Sequence, residues 1–321
     1  MEQFDGRIAV VTGGGMGMGR ELVVQLAADG CHVATCDVAD ESLAETRGLA
    51  VEAAPPGTRV VTFVADVSQE EQLLTFRDAV STELATEHIN LLFNNAGIAG
   101  GGSFVTDDRS EWETTFGVDW GGVYLGTRTF LPMLMAADEG HVVNTSSING
   151  LWASIGPTTP HTAYSAAKFA IRGFTESLIT DFRLNAPHLR ASVVMPGHIG
   201  TSIVINTGRF HGNDPESMDR EQLTALRAQL TARDIPLDDV SDDDLRKGIV
   251  MMGETFRDAA PTTAAAAAGT ILDGVRRNHW RILVGEDAEV LDAEVRADPL
   301  HAYDQEFWDG LRQRGLFGLF I

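Results

Sequence analysis

A tyrosine and a lysine stand four residues apart, the spacing that brings two side chains to one face of a helix. They are Tyr164 and Lys168, in the segment Tyr-Ser-Ala-Ala-Lys, and side chains at i and i+4 are neighbours on a helix surface. A free phenol titrates at about pH 10, too high for an efficient base near neutral pH. An ammonium group beside the phenol favours the phenolate and lowers its pKa. The pair therefore predicts that Tyr164 moves a proton.

The choice of lysine supports this interpretation, although a Tyr/Lys pair at this spacing is more often a chance feature of a surface. The chain has one other lysine, Lys247, whereas arginine is frequent. Lysine supplies a compact point charge and arginine a planar guanidinium, so the two are not interchangeable. Further groups are needed beside the pair. Ser146 and Ser147 follow a predicted strand, and a hydroxyl there would hold a substrate oxygen next to the phenol.

The elements that must position these residues alternate between apolar, β-branched runs and amphipathic helical segments. This repeated β-α-β pattern predicts an α/β protein with helices on both faces of a parallel sheet, a doubly wound Rossmann fold of three layers. Such a sheet binds ligands at the carboxyl ends of its strands, where the strand order reverses. The predicted strands are 7–12, 32–37, 59–64, 90–94, 141–145, 190–195 and 280–284.

The chain is predicted to form one Rossmann-type domain, 1–321, with an insertion after the sixth strand and a C-terminal tail. The insertion, 201–261, is polar and acidic and includes Asp238-Asp239. Because it follows the carboxyl end of a strand, we interpret it as a lid over a substrate pocket. A solvated helical insertion and a partner-binding surface are the alternatives. The tail, 286–321, ends in an apolar segment expected to pack against the protein's own core or a neighbouring subunit.

A glycine-rich turn follows the first predicted strand and opens the first predicted helix. Glycines let the main chain approach a pyrophosphate, and a helix N-terminus offers that anion free N–H groups and a favourable dipole. Many turns contain glycine clusters, but a position between a strand and a helix makes this one a specific signal for a dinucleotide. The candidate cofactor-binding residues of the turn are Gly13, Gly15, Met16, Gly17, Met18 and Gly19.

The second predicted strand ends in Asp37, whose carboxylate can accept hydrogen bonds from both hydroxyls of an adenosine ribose. That carboxylate would repel a 2′-phosphate, and neither Val38 nor Met16 offers a basic side chain to bind one. These charges predict NAD as the cofactor in preference to NADP. Asp66 and Val67, at the end of the third strand, are expected to border the adenine.

Other candidates close further strands at the same edge of the sheet. Asn94, Ala96 and Gly97 follow the fourth strand. Pro196 and Gly197 follow the sixth, where backbone groups would bind a nicotinamide carboxamide. Since the proton-transfer and cofactor candidates share one edge, we expect a single active site there. The chemistry that fits is hydride transfer between a nicotinamide and a secondary alcohol or ketone.

Composition excludes several classes of partner. The formal net charge is −22 at pH 7, from 46 acidic and 24 basic residues, and this charge repels nucleic acids and anionic membrane surfaces. The N-terminus lacks the pattern of a signal peptide, and no apolar run is long enough to span a bilayer. We therefore expect a cytoplasmic protein with a small-molecule substrate. The two cysteines, Cys31 and Cys36, predict neither a disulfide nor a metal site.

In combination, these motifs resemble the short-chain dehydrogenase/reductase family, in its branch with a single Rossmann domain. The resemblance covers 6–201 and follows the order of the family's motifs. It implies that Tyr164 is the general acid/base and that Lys168 lowers its pKa and binds the nicotinamide ribose, with a positive nicotinamide lowering that pKa further. It implies that Ser147 orients the carbonyl, because the family pattern Ser-x-x-Gly pairs this serine with Gly150.

The same resemblance extends to the sixth strand and to assembly. It implies that Thr201 binds the carboxamide, with the backbone of Ile199 contributing. It also implies a homo-oligomer, either a tetramer or a dimer.

Two features depart from the family pattern. Asp119 stands where the family usually has an asparagine that supports a water between the lysine and solvent. We include Asp119 among the catalytic candidates, and its charge would alter the proton relay. Ser147 and Tyr164 are also farther apart than is usual. The additional residues fall in 152–160, a proline-containing loop expected to edge the substrate pocket.

The substrate is the feature that the sequence determines least. Five apolar residues either line a pocket or form the core of the lid, and the two interpretations are equally supported: Trp152, Ile203, Phe210, Met251 and Met252. An apolar pocket predicts a medium-sized, hydrophobic secondary alcohol, cyclic or aromatic, oxidised with NAD. The alternatives are an NADPH-dependent ketone reductase and a non-enzymatic, NAD-sensing regulator on the same fold.

Overall fold

The computed structural model describes residues 1–157, 159–212, 214–215, 217–231, 236–237 and 240–316. None of the helices in this described part of the chain is long and apolar enough to cross a membrane. In chain order the elements are β1 Ile8–Thr12, α1 Gly17–Ala28, β2 His32–Asp37, α2 Asp40–Ala53, β3 Val60–Val64, α3 Glu70–Leu84, β4 Leu91–Asn94, α4 Arg109–Phe116, α5 Gly122–Met135, β5 Gly140–Thr145, α6 Thr162–Asn185, β6 Leu189–Pro196, β7 Ile199–Gly200, α7 Ile203–Phe210, α8 Arg220–Thr231, α9 Asp242–Asp258, β8 Thr262–Thr263, α10 Ala264–Arg276, β9 Arg281–Val284, α11 Glu286–Ala297 and α12 Gln305–Gln313.

Seven strands form one parallel sheet in the order β3-β2-β1-β4-β5-β6-β9. The order reverses between β1 and β4, so the carboxyl ends of these two strands border the crevice in which such folds bind ligands. The predicted doubly wound Rossmann fold is therefore confirmed. β7 and β8 form a separate two-stranded sheet at the base of the insertion.

Helices cover both faces of the sheet, which explains why its strands read as almost continuous apolar runs. All five residues of β1 are buried. On one face, Leu26 of α1 and Ile271 of α10 belong to a cluster that also contains Val11 of β1. On the other face, Phe76 of α3 and Phe130 of α5 pack with each other, their ring centroids 5.6 Å apart.

The segment predicted as an insertion is helical and carries α7, α8 and α9. Part of it packs on itself, around Met218, Leu223 and Leu245. α9 begins with three aspartates in its first turn, and the side chain of Ser241 accepts a hydrogen bond from the backbone N–H of Asp244 at 3.1 Å. Negative charge at a helix N-terminus is stabilising, which accounts for part of the segment's acidity. Asp238-Asp239 lie outside the described residues.

The C-terminal tail packs onto the body of the protein through a third cluster. Trp308 of α12 and Leu291 of α11 are buried in it together with Trp152, and Leu316 packs against it. The ring centroids of Trp152 and Trp308 are 4.7 Å apart. The last apolar residues of the tail, 317–321, lie outside the described part of the chain.

Candidate active site

Two adjoining cavities lie at the carboxyl ends of the strands. The larger has a volume of about 430 Å³ and extends past the glycine turn and β2. The smaller, of about 250 Å³, lies over β5, β6 and the start of α6. The two cavities meet at residues that line both of them, which are Met18, Asn95, Gly97, Thr201 and Ile203. A long ligand can therefore span the crevice from one cavity into the other.

The glycine turn forms one end of the larger cavity. Gly13 has φ +68° and Gly17 has φ +54°, values that favour glycine. A Cβ on Gly13 would come within 2.7 Å of the Cα of Ala96, so the two loops touch through their backbones. No side chain caps the N-terminus of α1, which leaves its N–H groups available to an anion. The turn fits the pyrophosphate of a dinucleotide, and the predicted residues Gly13, Met16, Gly17, Met18 and Gly19 line the cavity.

Asp37 lies beside this turn and lines the same cavity. Its Oδ2 accepts a hydrogen bond from the N–H of Gly15 at 2.9 Å, and its Oδ1 accepts one from the N–H of Ala39 at 3.2 Å. Gly15 itself does not line either cavity; its contribution is to hold the carboxylate. Each carboxylate oxygen keeps a further lone pair, so both can still accept hydrogen bonds from ribose hydroxyls. The nearby guanidinium of Arg20 is paired with Glu45 at 2.7 Å.

Asp66 and Val67 line the far side of the larger cavity. The Oδ1 of Asp66 accepts hydrogen bonds from the backbone N–H and the hydroxyl of Ser68, at 2.9 and 2.8 Å. A Cβ on Gly122 would come within 2.7 Å of the Val67 side chain, so α5 packs closely behind this wall. The geometry leaves an apolar slot suited to a flat ring such as adenine.

The loop after β4 contributes Asn95, Ala96 and Gly97 to the cavities, but not Asn94. The amide nitrogen of Asn94 is buried and donates to the Oγ1 of Thr127 at 3.0 Å and to the Oδ1 of Asn144 at 2.8 Å. Successive residues of a strand point to opposite faces, so only one of two adjacent asparagines reaches the crevice. The structure therefore favours Asn95 over the predicted Asn94 as the cofactor-binding residue.

The smaller cavity brings together Ser147, Tyr164 and Lys168. Ser147 lines the cavity beside Tyr164 and lowers the pKa of its phenol. The Nζ of Lys168 lies 5.0 Å from the centroid of the Tyr164 ring. Ser146 is occupied elsewhere, because its hydroxyl donates to the backbone carbonyl of Lys168 at 2.7 Å. This geometry supports the choice of Ser147 over Ser146. It fits a site that transfers a proton by general acid–base catalysis.

The pKa of Tyr164 is raised in this structure, because burial disfavours the phenolate. Lys168 acts in the predicted direction and lowers that pKa, but Asp119 raises it, and burial is the largest influence. The net direction is opposite to the one expected from the sequence. Burial of the phenol depends on tertiary packing, and no sequence motif reports it.

Asp119 lies behind the lysine, in a π-helical turn at Gly117–Gly121 that joins α4 to α5. It is fully buried, its Oδ2 is 3.4 Å from the Nζ of Lys168, and its Oδ1 accepts the N–H of Ile98 at 2.8 Å. Burial raises the pKa of Asp119, and the negative charge of Asp119 raises the pKa of Lys168. The lysine therefore keeps its proton, and Asp119 acts on the cavity through Lys168 without lining it.

The loop after β6 lies across the smaller cavity through Pro196, Gly197 and Ile199. It is held from below by Asp287 of α11, whose Oδ2 accepts the N–H of His198 at 2.6 Å. A Cβ on Gly197 would lie 2.2 Å from the carboxylate, so this contact requires glycine. Asp287 was not predicted, because it is far from the loop in sequence and belongs to no motif.

Two histidines in the smaller cavity were also missed by the sequence analysis. His161 and His198 both line it. The Nε2 of His198 lies 2.6 Å from the carbonyl oxygen of Phe256 on α9. The ring of His161 contacts the ring of Tyr164, with centroids 4.7 Å apart. The only sequence signal for His161 was its position three residues before the tyrosine.

The apolar residues expected at the substrate are separated by the structure. Ile203 lines both cavities and Phe210 lines the larger one. Trp152 is 1% exposed, and its indole N–H donates to the carbonyl of Ala302 at 2.6 Å, away from the pocket. Met251 and Met252 are 65% and 59% exposed on the outer face of α9. The predicted pocket-lining role therefore holds for two of the five residues.

Comparisons with known proteins agree with this site. The family model of the short chain dehydrogenases matches residues 7–211. The SadH protein of Mycobacterium tuberculosis is 33% identical over 297 residues, which are 92% of this chain and 92% of SadH. Levodione reductase of Leifsonia aquatica is 32% identical over 216 residues, which are 67% of this chain and 77% of that protein.

A solved structure extends the likeness beyond the sequence. It is a short-chain dehydrogenase/reductase from Burkholderia phymatum in complex with NAD, with a TM-score of 0.73 and 25% identity over 93% of this chain and 96% of that chain. The family-model match covers more than half of this chain, and the crevice carries the motifs in their expected order. The chain is a member of the short-chain dehydrogenase/reductase family, an oxidoreductase that uses a nicotinamide cofactor.

Proposed function

We propose that this oxidoreductase transfers hydride between NAD and a secondary alcohol or ketone with a medium-sized, hydrophobic body. The observation that carries the proposal is the grouping of Ser147, Tyr164 and Lys168 in a cavity that opens directly into the dinucleotide-shaped crevice. A regulator that only senses the cofactor has no need of a buried proton-transfer group, so an enzyme is favoured.

The preference for NAD rests on Asp37. Two backbone N–H groups fix the orientation of its carboxylate, so this negative charge would repel a 2′-phosphate. Val38 beside it is apolar and 51% exposed. The related protein from Burkholderia phymatum was solved with NAD, which supports the same cofactor here. Affinities for NADH and NADPH, measured side by side, decide against the NADPH-dependent reductase if NADH binds more tightly.

The bound nicotinamide supplies the carbon that accepts hydride from an alcohol or returns it to a ketone. In the oxidative direction, the phenolate of Tyr164 takes the proton of the substrate hydroxyl. Ser147 donates a hydrogen bond to the substrate oxygen and stabilises the charge that develops on it. Lys168, kept protonated by Asp119, stabilises the phenolate electrostatically. In the reductive direction, the phenol returns its proton to the carbonyl oxygen.

The substrate class follows from the walls of the smaller cavity. Apolar side chains of Ile148, Ile155, Ile203, Val204 and Phe256 line it, and burial of apolar substrate surface against them is favourable. Three of these five lie in 201–261, which supports the proposal that this insertion is a lid. One relative is named as a reductase of levodione, in keeping with a ketone as the oxidised substrate. A homotetramer or homodimer in the cytoplasm completes the proposal.

The test is the appearance of NADH absorbance with NAD⁺ and a panel of secondary alcohols, for the native protein and for Tyr164→Phe. We expect turnover with hydrophobic alcohols and a loss on the order of 1,000-fold in the variant, because the proton acceptor is removed. The matched control is Tyr124→Phe, since Tyr124 is 45% exposed and lines neither cavity. Tight NADH binding without turnover of any alcohol would favour the regulator. Turnover of small polar polyols alone would contradict the hydrophobic substrate.

A further inference from the structure

His161 stands at the point where α6 begins, directly beside the catalytic tyrosine. It is the N-cap residue of the helix, and its side chain does not cap the helix. Its ring contacts the ring of Tyr164 with centroids 4.7 Å apart and planes inclined by 44°. The same side chain lines the smaller cavity. Any molecule that brings an oxygen to the phenol of Tyr164 therefore also approaches the imidazole.

The imidazole of His161 has no hydrogen-bond partner among the residues that the structure describes. Burial lowers its pKa to about 4, so the ring is neutral at pH 7. A neutral imidazole carries one N–H donor and one acceptor nitrogen. His161 is half-buried at the wall of the cavity, so both groups are accessible to a molecule that enters it. The ring therefore has both a donor and an acceptor available for a ligand.

Two other polar side chains that line this cavity are already engaged. The Nε2 of His198 lies 2.6 Å from the carbonyl oxygen of Phe256. The amide of Asn149 donates to the carbonyls of Trp152 and Ser154, at 3.2 and 3.0 Å. These contacts stabilise loops of the protein. His161 differs from both because its nitrogens bond to none of the residues that the structure describes.

We propose that His161 binds a second oxygen of the substrate, carried on a carbon close to the reacting carbon. The substrate class is then a hydroxyketone, diketone or vicinal diol on a hydrophobic body, and His161 is a specificity-determining residue for it. The imidazole donates to a carbonyl oxygen and accepts from a hydroxyl, so it binds the oxidised and the reduced partner alike. This inference rests on the proposed function, and it adds a polar requirement to an otherwise apolar pocket.

The test compares matched ligands that differ by one oxygen. We would measure kcat/KM for trans-1,2-cyclohexanediol and for cyclohexanol, with native protein, His161→Phe and His161→Gln. Phenylalanine keeps the ring against Tyr164 but has no N–H donor or acceptor, whereas glutamine keeps both kinds of group. The ratio of the two kcat/KM values cancels any effect on the common chemical step. We expect the diol to be preferred by about tenfold or more in native protein, as for one hydrogen bond to a buried group.

The variants separate hydrogen bonding from packing. His161→Phe should reduce the ratio of the two kcat/KM values to about one. His161→Gln should restore part of the preference for the diol. His88→Phe is the matched control, because His88 is exposed and lines neither cavity, and it should leave the ratio unchanged. A native ratio near one, or a ratio unaffected by His161→Phe, would overturn the proposal.

A binding measurement keeps this inference apart from the proposed function. The enzyme–NADH complex is titrated with 2-hydroxycyclohexanone and with cyclohexanone, and the quenching of NADH fluorescence gives the two Kd values. Tighter binding of the hydroxyketone, lost in His161→Phe, would support the site even if no compound were turned over. Turnover of simple alcohols, together with equal Kd values for the two ketones, would support the dehydrogenase activity. It would contradict the proposed role of His161.

Discussion

The two cavities are built in different ways, although they share one crevice. In the larger cavity, the glycine turn and Asp37 are held by contacts within the first part of the chain, such as the hydrogen bond from Gly15 to Asp37. The smaller cavity depends on contacts between distant segments. Trp152 is bound to Ala302 of the tail, and the loop carrying His198 rests on Asp287. The contacts that hold Asp37 are therefore local in sequence, whereas the substrate pocket is a product of long-range packing.

This difference indicates where each of the two cavities is sensitive to amino-acid substitution. At the glycine turn the critical feature is backbone conformation, and the free space around Gly13 is too small for a side chain. Around the substrate the critical feature is the docking of α11 and α12 beneath two loops. Substitutions in the tail should therefore act over a long sequence distance, on the substrate pocket and on the loop after β6, and substitutions in the turn should act mainly on the cofactor.

The largest effect is expected from Trp152→Ala. Removing this buried indole should lower the free energy of unfolding by about 3–5 kcal/mol, because the cavity cannot fill and the hydrogen bond to Ala302 is lost. Urea denaturation measures the change. KM for the substrate should rise as the loop of Ser154 and Ile155 loosens. Trp280→Ala is the control; with Trp280 46% exposed, it should cost less than about 1 kcal/mol. Equal losses of unfolding free energy in the two variants would show that the packing of Trp152 against the tail does not support the smaller cavity.

The next largest effect is expected in the larger cavity, where the cofactor is proposed to bind. Gly13→Ala should weaken NADH binding on the order of 100-fold, because φ +68° is strained for alanine and the new Cβ meets Ala96. Fluorescence titration with NADH checks this expectation. Gly48→Ala, in α2, is the matched control, since nothing lies within 4 Å of its Cβ position. A similar Kd for Gly13→Ala and native protein would show that the turn does not bind the cofactor.

A third prediction concerns Asp119, which lies behind Lys168, and the pH dependence of catalysis. The negative charge of Asp119 raises the pKa of Tyr164, so Asp119→Asn should lower that pKa. The rise of kcat/KM for alcohol oxidation with pH then moves to lower pH. The pH profile of native protein and variant provides the measurement. A shift to higher pH would mean that loss of the charge acts mainly by lowering the pKa of Lys168, which Asp119 raises.

The smallest effect is expected where the tail supports the cofactor loop. Asp287→Asn keeps the size of the side chain but replaces a charged acceptor of the His198 N–H with a neutral one. NADH affinity should fall about fivefold, since charged hydrogen bonds are the stronger kind. Isothermal titration with NADH measures the change, and Asp309→Asn is the control, because Asp309 is exposed on α12. A result like that of the control would confine the influence of the tail to the substrate pocket.

The amino-acid sequence by itself determined the fold and the larger cavity. The parallel sheet follows from the β-α-β pattern, and the glycine turn and Asp37 are recognisable because their roles depend on nearby residues. Tyr164, Lys168 and Ser147 were accessible for the same reason, since helix periodicity and the parallel sheet direct them to one edge. Asp119 was visible as a departure from the family pattern, although its contact with Lys168 was not.

Only the tertiary structure decided the choice of Asn95 over Asn94, the direction of the Tyr164 pKa and the place of Trp152 in the core. It also brought His198 and Asp287 to the site. Each of these depends on burial or on contact between residues far apart in the chain. Sequence periodicity describes which face of one element is apolar, but it does not state which elements meet. Long-range packing therefore determined the substrate pocket, and local chain geometry determined the glycine turn and the position of Asp37 beside it.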